Sequence, residues 1–147
     1  MENGRSSSEP LILFTVDDDD FLYIVKYAFE EAGFSGVVKP MRSFRELMDY
    51  PQIGGRPHLI ILDINNSPMD WRSVLQDLRR DERYKNIPVA VLSAFIEQKD
   101  IDLCETHHCS CIQKPGNFEG WKDCMEKIIR TNITIAITDR NLTFLPS

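Results

Sequence analysis

Four branched aliphatic residues followed directly by a carboxylate, Leu59-Ile60-Ile61-Leu62-Asp63, constrain the fold of this chain more than any other stretch. A continuous apolar run of this length between polar segments predicts a strand that is buried on both faces of a parallel sheet. In open α/β sheets, ligands bind just beyond the carboxyl ends of the strands. Asp63 is therefore expected to lie where binding or chemistry takes place.

Length and charge narrow the class of protein. A chain of 147 residues predicts one domain with a sizeable core. Its net charge of -6 argues against a nucleic-acid surface, which needs clustered Lys and Arg. No apolar run is long enough for a membrane span, and residues 1–10 do not form a signal segment, so we expect a cytoplasmic protein without a membrane partner. The four cysteines are too unevenly spaced for a disulfide framework and are interpreted as reduced thiols.

Apolar periodicity predicts five strands, each followed by a helix. The predicted strands are 11–16, 35–40, 59–63, 87–92 and 109–113. The predicted helices are 21–32, 44–50, a third through Trp71 to Leu78, 98–106 and 118–130. Asp20 is the predicted N-cap of the first helix. The charged continuation of the third helix, residues 79–83, is predicted to lie in solvent. This alternation predicts a doubly wound five-stranded parallel α/β sheet with helices on both faces.

The two ends of the chain fall outside this pattern. Residues 1–10 are predicted to be a flexible tail, and residues 11–130 to be the domain. Residues 131–147 form a C-terminal extension in which a strand or hairpin, pairing with a sheet edge or another copy, and a loose tail both remain open. The second strand is predicted near an edge because it is short and contains Pro40.

Polar side chains follow four of the predicted strands. Asp17 and Asp18 follow the first strand, Asp63 ends the third, Ser93 follows the fourth and Lys114 follows the fifth. Carboxylates are the hard oxygen ligands that suit Mg²⁺. A hydroxyl and an ammonium are suited to the equatorial oxygens of a transferred phosphoryl group. The pattern predicts a site for phosphoryl transfer to a carboxylate.

Four segments, LILFTVDDDD, HLIILDINNSPMD, IPVAVLSA and CIQKP, resemble in order and spacing the receiver domain of two-component response regulators. The resemblance covers residues 11–130 and implies the CheY-like, flavodoxin-like strand order 2-1-3-4-5. It implies that Asp63 is the phosphoacceptor, that Ser93 bonds a phosphoryl oxygen and moves toward it on activation, and that Lys114 pairs with another oxygen. It also implies a cis Lys114–Pro115 bond.

The same resemblance implies a metal cofactor. Asp17, Asp18 and Asp63 would hold Mg²⁺ directly or through water, and the backbone carbonyl of Asn65 would supply a further ligand. No other cofactor is implied.

The chain departs from the receiver pattern at several positions. Asn66-Ser67 stand where Met-Pro is common, with proline displaced to Pro68, and Trp71 stands where glycine is usual. Cys111 occupies the position of an aromatic switch residue, and His107 replaces the glycine that usually caps the fourth helix. These departures place the coupling of phosphorylation to the outer surface in question.

The leading hypothesis is a stand-alone response regulator that is phosphorylated on Asp63 by a histidine kinase or phosphotransfer protein. It is not an enzyme beyond its own phosphorylation and dephosphorylation. It would be a monomer or weak dimer that contacts a downstream protein through helix four, strand five and helix five. One alternative is a phosphorylation-independent pseudo-receiver, which the altered loop and Cys111 favour and the complete set of acids, hydroxyl and lysine opposes. Another is a phosphatase-type hydrolase, which would need an acid at the position of Asn65.

Two further features have alternative interpretations. The segment His107–Cys111 could suggest a metal or redox cluster, but it matches no standard zinc spacing, so buried thiols are favoured. Trp71 and Trp121 are interpreted as packing residues rather than as ligand-stacking residues.

Overall fold

The computed structural model describes residues 10–16, 18–51, 56–64 and 70–132, together with the backbone of 142–144. These residues form a parallel sheet with helices on both faces. The strands are β1 Leu11–Thr15, β2 Gly36–Met41, β3 Leu59–Asp63, β4 Val89–Ser93, β5 Ser110–Gln113 and β6 Leu142–Phe144. The helices are α1 Asp19–Glu31, α2 Phe44–Met48, α3 Trp71–Arg80, α4 Gln98–Thr106 and α5 Phe118–Asn132.

The strand order is β5-β4-β3-β1-β2-β6. The five predicted strands therefore occur in the predicted order 2-1-3-4-5, and all neighbouring pairs are parallel. The doubly wound α/β fold is confirmed. Because β3 lies between β1 and β4, Asp63 is at the centre of the sheet's carboxyl edge.

Two apolar cores lie on opposite faces of the sheet. In a strand, successive side chains point to opposite faces, so Ile12 and Phe14 join one core while Leu11 and Leu13 join the other. The first core is covered by α1 and α5. The second is covered by α2, α3 and α4. The aliphatic residues of β3 are fully buried because the sheet is covered on both sides.

The second strand lies near the edge of the sheet, as predicted, with β6 as the outermost strand beside it. β6 pairs with β2 in parallel from Gly36 to Val38, and the pairing stops before Pro40. Proline has no N–H to donate, so an outer strand can extend β2 only ahead of this residue. Residues 1–9 and 133–141 lie outside the described residues, and the boundaries of the two tails remain predictions.

The charged segment after α3 does not extend into solvent as predicted. The helix ends at Arg80, and the guanidinium of Arg79 donates hydrogen bonds to the carbonyl oxygens of Tyr84, Lys85, Ile87, His107 and His108. Arg83 pairs with Asp81 and donates to Met48 O and Tyr50 O. Periodicity could not reveal this, because most of the partners are backbone oxygens, some of them in segments distant in sequence. Among the described residues, no helix is long and apolar enough to cross a membrane.

Candidate functional site

Three of the predicted site residues converge at the carboxyl edge of the sheet. Asp63 is the last residue of β3, Ser93 is the last residue of β4, and Lys114 directly follows β5. The backbone N–H of Lys114 donates to Ser93 O at 2.8 Å, which joins the ends of β4 and β5. Parallel strands bring their carboxyl ends to the same edge, so the sheet places a carboxylate, a hydroxyl and an ammonium together.

An ion pair joins Asp63 and Lys114. The Nζ of Lys114 lies 2.8 Å from Asp63 Oδ1, and the two side chains are 18% and 9% exposed, respectively. A charge-assisted contact in such a partly desolvated site is stronger than one on an open surface. The pair fixes the orientation of the carboxylate and keeps a positive charge beside it.

The ring of Phe21 contacts the ammonium group of Lys114, a role that the sequence did not reveal. The Nζ of Lys114 lies 4.5 Å from the centroid of the Phe21 ring, in the geometry of a cation–π contact. Phe21 packs in turn against Trp121, with ring centroids 4.9 Å apart. Periodicity correctly placed Phe21 on the inward face of α1, but only the fold shows that this face borders the ammonium.

Thr15 was also missed. Its hydroxyl is 4% exposed and accepts a hydrogen bond from the backbone N–H of Asp63 at 3.1 Å. Thr15 is the only hydroxyl residue in the apolar run LILFTV. A lone hydroxyl at the end of a buried strand is a signal that could have indicated this contact.

The hydroxyl of Ser93 is engaged with the loop that follows β4. Ser93 Oγ donates to Phe95 O at 2.7 Å and accepts from Phe95 N at 3.3 Å. Ser93 is 5% exposed, whereas the ring of Phe95 is 83% exposed. The hydroxyl is thus bound to backbone atoms of an outward-facing loop residue.

Two of the four aspartates after β1 make contacts that stabilise their charge. Asp18, not Asp20, is the N-cap of α1: its Oδ1 accepts from the backbone N–H groups of Asp20 and Phe21. Asp19 forms an ion pair with Arg42. The predicted N-cap was wrong by two residues because each of these neighbouring aspartates satisfies the same sequence preference.

The metal ligands predicted from the resemblance are only partly described. Asp18 and Asp63 are described, whereas Asp17 and Asn65 lie outside the described residues. Within the described part of the chain, no group of three or more His, Cys, Asp and Glu side chains is arranged to hold a metal ion. The predicted magnesium site therefore remains a prediction.

The departures from the receiver pattern can be placed in part. Residues 66–68 lie outside the described residues. Trp71 begins α3 after the N-cap Asp70 and is partly buried against the second core, and Trp121 is 6% exposed in the first core. Cys111 faces the second core. The predicted cis Lys114–Pro115 bond is wrong, since no peptide bond among the described residues is cis.

A parallel sheet in this order, with an aspartate, a serine and a lysine at its carboxyl edge, defines a receiver domain. The chain belongs to the response regulator receiver family. It is 31% identical over 129 residues to the "Probable methanogenesis regulatory protein FilR2" of Methanothrix harundinacea (strain 6Ac), covering 83% of both chains.

Solved structures agree with this assignment. The phosphorylated cyanobacterial phytochrome response regulator RcpA has 27% identity and a TM-score of 0.75, over 88% of this chain and 97% of its own. The Mn²⁺-bound form of response regulator Rcp1 has the same fold, at 23% identity and a TM-score of 0.71, over 88% of this chain and 99% of its own. No protein-family model matches the chain.

The contact between Phe21 and Lys114 can be measured by a double-mutant cycle. Phe21→Leu and Lys114→Met, singly and together, are expected to show a coupling free energy of about 0.5–2 kcal/mol in urea unfolding, because either substitution alone already removes the contact between ring and cation. Tyr27→Leu, on the exposed part of the same helix, should show no coupling with Lys114→Met. Equal coupling for the two aromatic residues would contradict a specific contact.

Proposed function

We propose that this receiver accepts a phosphoryl group on Asp63 from a histidine kinase or a phosphotransfer protein and then signals by contact with a downstream protein. The observation that carries the proposal is the ion pair between Asp63 and Lys114, which holds a nucleophilic carboxylate beside a positive charge at the sheet's carboxyl edge. The relatedness to response regulators supports it.

The chemistry follows from these groups. A carboxylate oxygen of Asp63 attacks phosphorus, the bond from phosphorus to the donor nitrogen breaks, and an acyl phosphate forms on Asp63. Lys114 then pairs with a phosphoryl oxygen and stabilises charge on the transferring group. To reach another phosphoryl oxygen, Ser93 Oγ must break its two hydrogen bonds with the backbone of Phe95. Phosphorylation is thereby coupled to the loop between β4 and α4.

The chain would hold a divalent cation, with Mg²⁺ as the proposed cofactor, through carboxylates and a carbonyl. Asp17, Asp18, Asp63 and the backbone carbonyl of Asn65 are the proposed ligands, and oxygen donors of this kind fit Mg²⁺. Asp18 would contribute its carboxylate to this site while its Oδ1 caps α1. When bound, the cation would offset charge on the phosphoryl oxygens. The Mn²⁺-bound form of Rcp1 supports a divalent ion.

Incubation with acetyl phosphate and Mg²⁺ tests the proposal. The expected result is one phosphoryl adduct per chain by intact mass, and an acyl phosphate of this kind is cleaved by hydroxylamine. Chelation of Mg²⁺ with EDTA should suppress the adduct by about tenfold or more, because the cation offsets several kcal/mol of transition-state charge. Beryllofluoride should change the fluorescence of Trp121, whose ring contacts Phe21 beside Lys114. Failure to form an adduct with either reagent would overturn the proposal.

A pseudo-receiver is the second candidate. Cys111 favours it, because this residue stands at the position of the aromatic switch residue and packs against the second core. A cysteine has no ring that could move between exposed and buried positions. In that case no adduct would form, and a partner would bind equally well with and without acetyl phosphate.

A further inference from the structure

Three of the four cysteines meet where α4 passes into β5. Cys104 lies in the last turn of α4, Cys109 precedes β5, and Cys111 lies within it. Cys104 is 2% exposed, and the other two are partly buried against the second core. None of the four cysteines, all of which are described, is in a disulfide. The proposed phosphoryl chemistry does not use these thiols.

The end of α4 brings Cys104 and Cys109 together. His108 has a φ of 56°, in the left-handed region, so it and not His107 takes the conformation for which glycine is usual. The N–H of Cys109 donates to Cys104 O at 2.8 Å, and the N–H of His108 donates to Glu105 O at 3.3 Å. These two bonds form a Schellman motif, in which the side chains at the positions of Cys104 and Cys109 characteristically touch.

The distance between the two residues suits a disulfide. A disulfide requires Cα atoms no more than about 7 Å apart. The backbone hydrogen bond of 2.8 Å between Cys109 N and Cys104 O holds the two residues within that reach. The side chains of Cys109 and Cys111 are also close enough to Cys104 to influence the pKa of its thiol. Cys111 lies on the same side of the chain as Cys109, because alternate residues of a strand share a face.

The surroundings make Cys109 the nucleophile of the group. The hydrogen bond from the Cys104 thiol and the nearby Arg79 guanidinium lower the pKa of Cys109, while burial opposes them. The neighbouring Cys109 sulfur and burial raise the pKa of Cys104 well above its ordinary value. Burial raises the pKa of Cys111 to about 12 and that of Cys124 to about 11. Cys109 is thus the one thiol of the four that favours the reactive thiolate.

A groove lies beside this region. It has a volume of about 340 Å³ and is lined by Arg79 and His108, which flank Cys109, together with Lys85, Asn86, Ile87 and Pro88. Cys109 itself is only partly buried, whereas Cys104 is 2% exposed. Cys109 is therefore the more accessible of these two thiols.

We propose that Cys109 and Cys104 form a thiol–disulfide exchange site for low-molecular-weight disulfides, with Cys109 as the attacking thiol and Cys104 as the resolving thiol. The Cys109 thiolate attacks one sulfur of the reagent, forms a mixed disulfide and releases one reagent thiolate. Cys104 then loses its proton to solvent, attacks the Cys109 sulfur and releases the second thiolate. Two protein thiols are oxidised to one disulfide, and the reagent disulfide is reduced to two thiols.

The product would join the last turn of α4 covalently to the residue before β5. These elements belong to the surface of helix four, strand five and helix five that is expected to contact the downstream protein, and this link to signalling rests on the proposed function. The exchange itself does not involve Asp63, so Asp63→Asn should oxidise at the rate of the unmodified protein. Failure of phosphorylation and failure of exchange are therefore distinguishable.

The test exposes the reduced full-length chain to glutathione disulfide under anaerobic conditions, blocks remaining thiols with iodoacetamide at timed intervals, and locates products by intact mass and peptide mapping. The unmodified chain should yield the intramolecular disulfide between Cys104 and Cys109. Cys104→Ser should stop at glutathione on Cys109. Cys109→Ser should react about tenfold more slowly at neutral pH, because its remaining thiols are protonated.

Matched variants serve as controls. Cys111→Ser and Cys124→Ser should form the same disulfide at the rate of the unmodified chain, and near-ultraviolet circular dichroism should show that each variant is folded. Mapping of the unmodified chain also tests the assignment if Cys104→Ser does not fold. A disulfide that maps to another pair, no disulfide in the unmodified chain, or an unchanged rate in folded Cys109→Ser would overturn the proposal.

Discussion

Replacing Asp63 by asparagine is expected to abolish the adduct that the unmodified chain forms with acetyl phosphate and Mg²⁺. A neutral amide is not a nucleophile toward phosphorus and is a weaker ligand for Mg²⁺ than a carboxylate. Intact mass measures the loss directly. The remaining acidic side chains near the site are not expected to substitute, because Asp18 caps α1 and Asp19 pairs with Arg42. An adduct of undiminished yield would contradict the assignment of Asp63.

The same substitution removes the partner of Lys114. The ammonium of Lys114 would retain its contact with the Phe21 ring but would lose its ion pair with the carboxylate 2.8 Å away. We expect a loss of about 1–3 kcal/mol in the free energy of unfolding in urea, because one charge of a partly desolvated pair is left uncompensated.

Asp70→Asn is the matched control for both effects. Asp70 is an exposed carboxylate whose Oδ1 caps α3 by accepting from the N–H of Arg72. Asparagine caps a helix about as well as aspartate does. This variant should therefore form the adduct normally and unfold at the same urea concentration as the unmodified chain.

Replacing Lys114 by methionine is expected to leave the fold intact but to remove most of the conformational response to phosphorylation. Methionine retains much of the volume of the lysine stem and loses the charge that pairs with the phosphoryl oxygen. A lost charge-assisted hydrogen bond corresponds to about 1.5–3 kcal/mol, so the equilibrium toward the responsive form should fall by about tenfold or more. The change in Trp121 fluorescence with beryllofluoride measures this response.

Lys99→Met is the control for the removal of a lysine. Lys99 forms an exposed ion pair with Glu97 at 3.2 Å, with side chains 63% and 66% exposed, and such pairs contribute little. This variant should respond as the unmodified chain does. If Lys114→Met unfolds, Lys114 is a structural residue; if it responds fully, Lys114 does not transmit the phosphoryl signal. Either result would contradict the prediction.

Much of the fold could be predicted from patterns along the chain. The aliphatic run before Asp63 predicted a central strand, and α4 was predicted at its observed bounds although it is short and polar. Whether a further strand covers the outer side of β2 could not be decided from the sequence. It depends on Leu142–Phe144, a pairing between segments about a hundred residues apart, and parallel pairing leaves no local turn signal.

The residues of the candidate site also differ in whether the sequence could identify them. Asp63, Ser93 and Lys114 could be identified because each ends or directly follows a strand with a clear apolar signal. Thr15 and Phe21 could not, since their roles depend on contacts with residues that are remote in sequence. The thiol pair was also hidden: His108 takes a left-handed conformation without being glycine, so the motif that joins Cys104 and Cys109 has no glycine signal.

The central element, Leu59 to Asp63, shows what each level determined. By itself the sequence determined that this segment is a buried parallel strand and that a carboxylate stands at its end, because apolar burial and strand direction are local properties. Only the tertiary structure decided the partners of Asp63. Lys114 forms an ion pair with its Oδ1, and the hydroxyl of Thr15 accepts a hydrogen bond from its backbone N–H. Those contacts exist because the sheet brings β1, β3 and β5 to one edge, and such distances are set by packing rather than by sequence spacing.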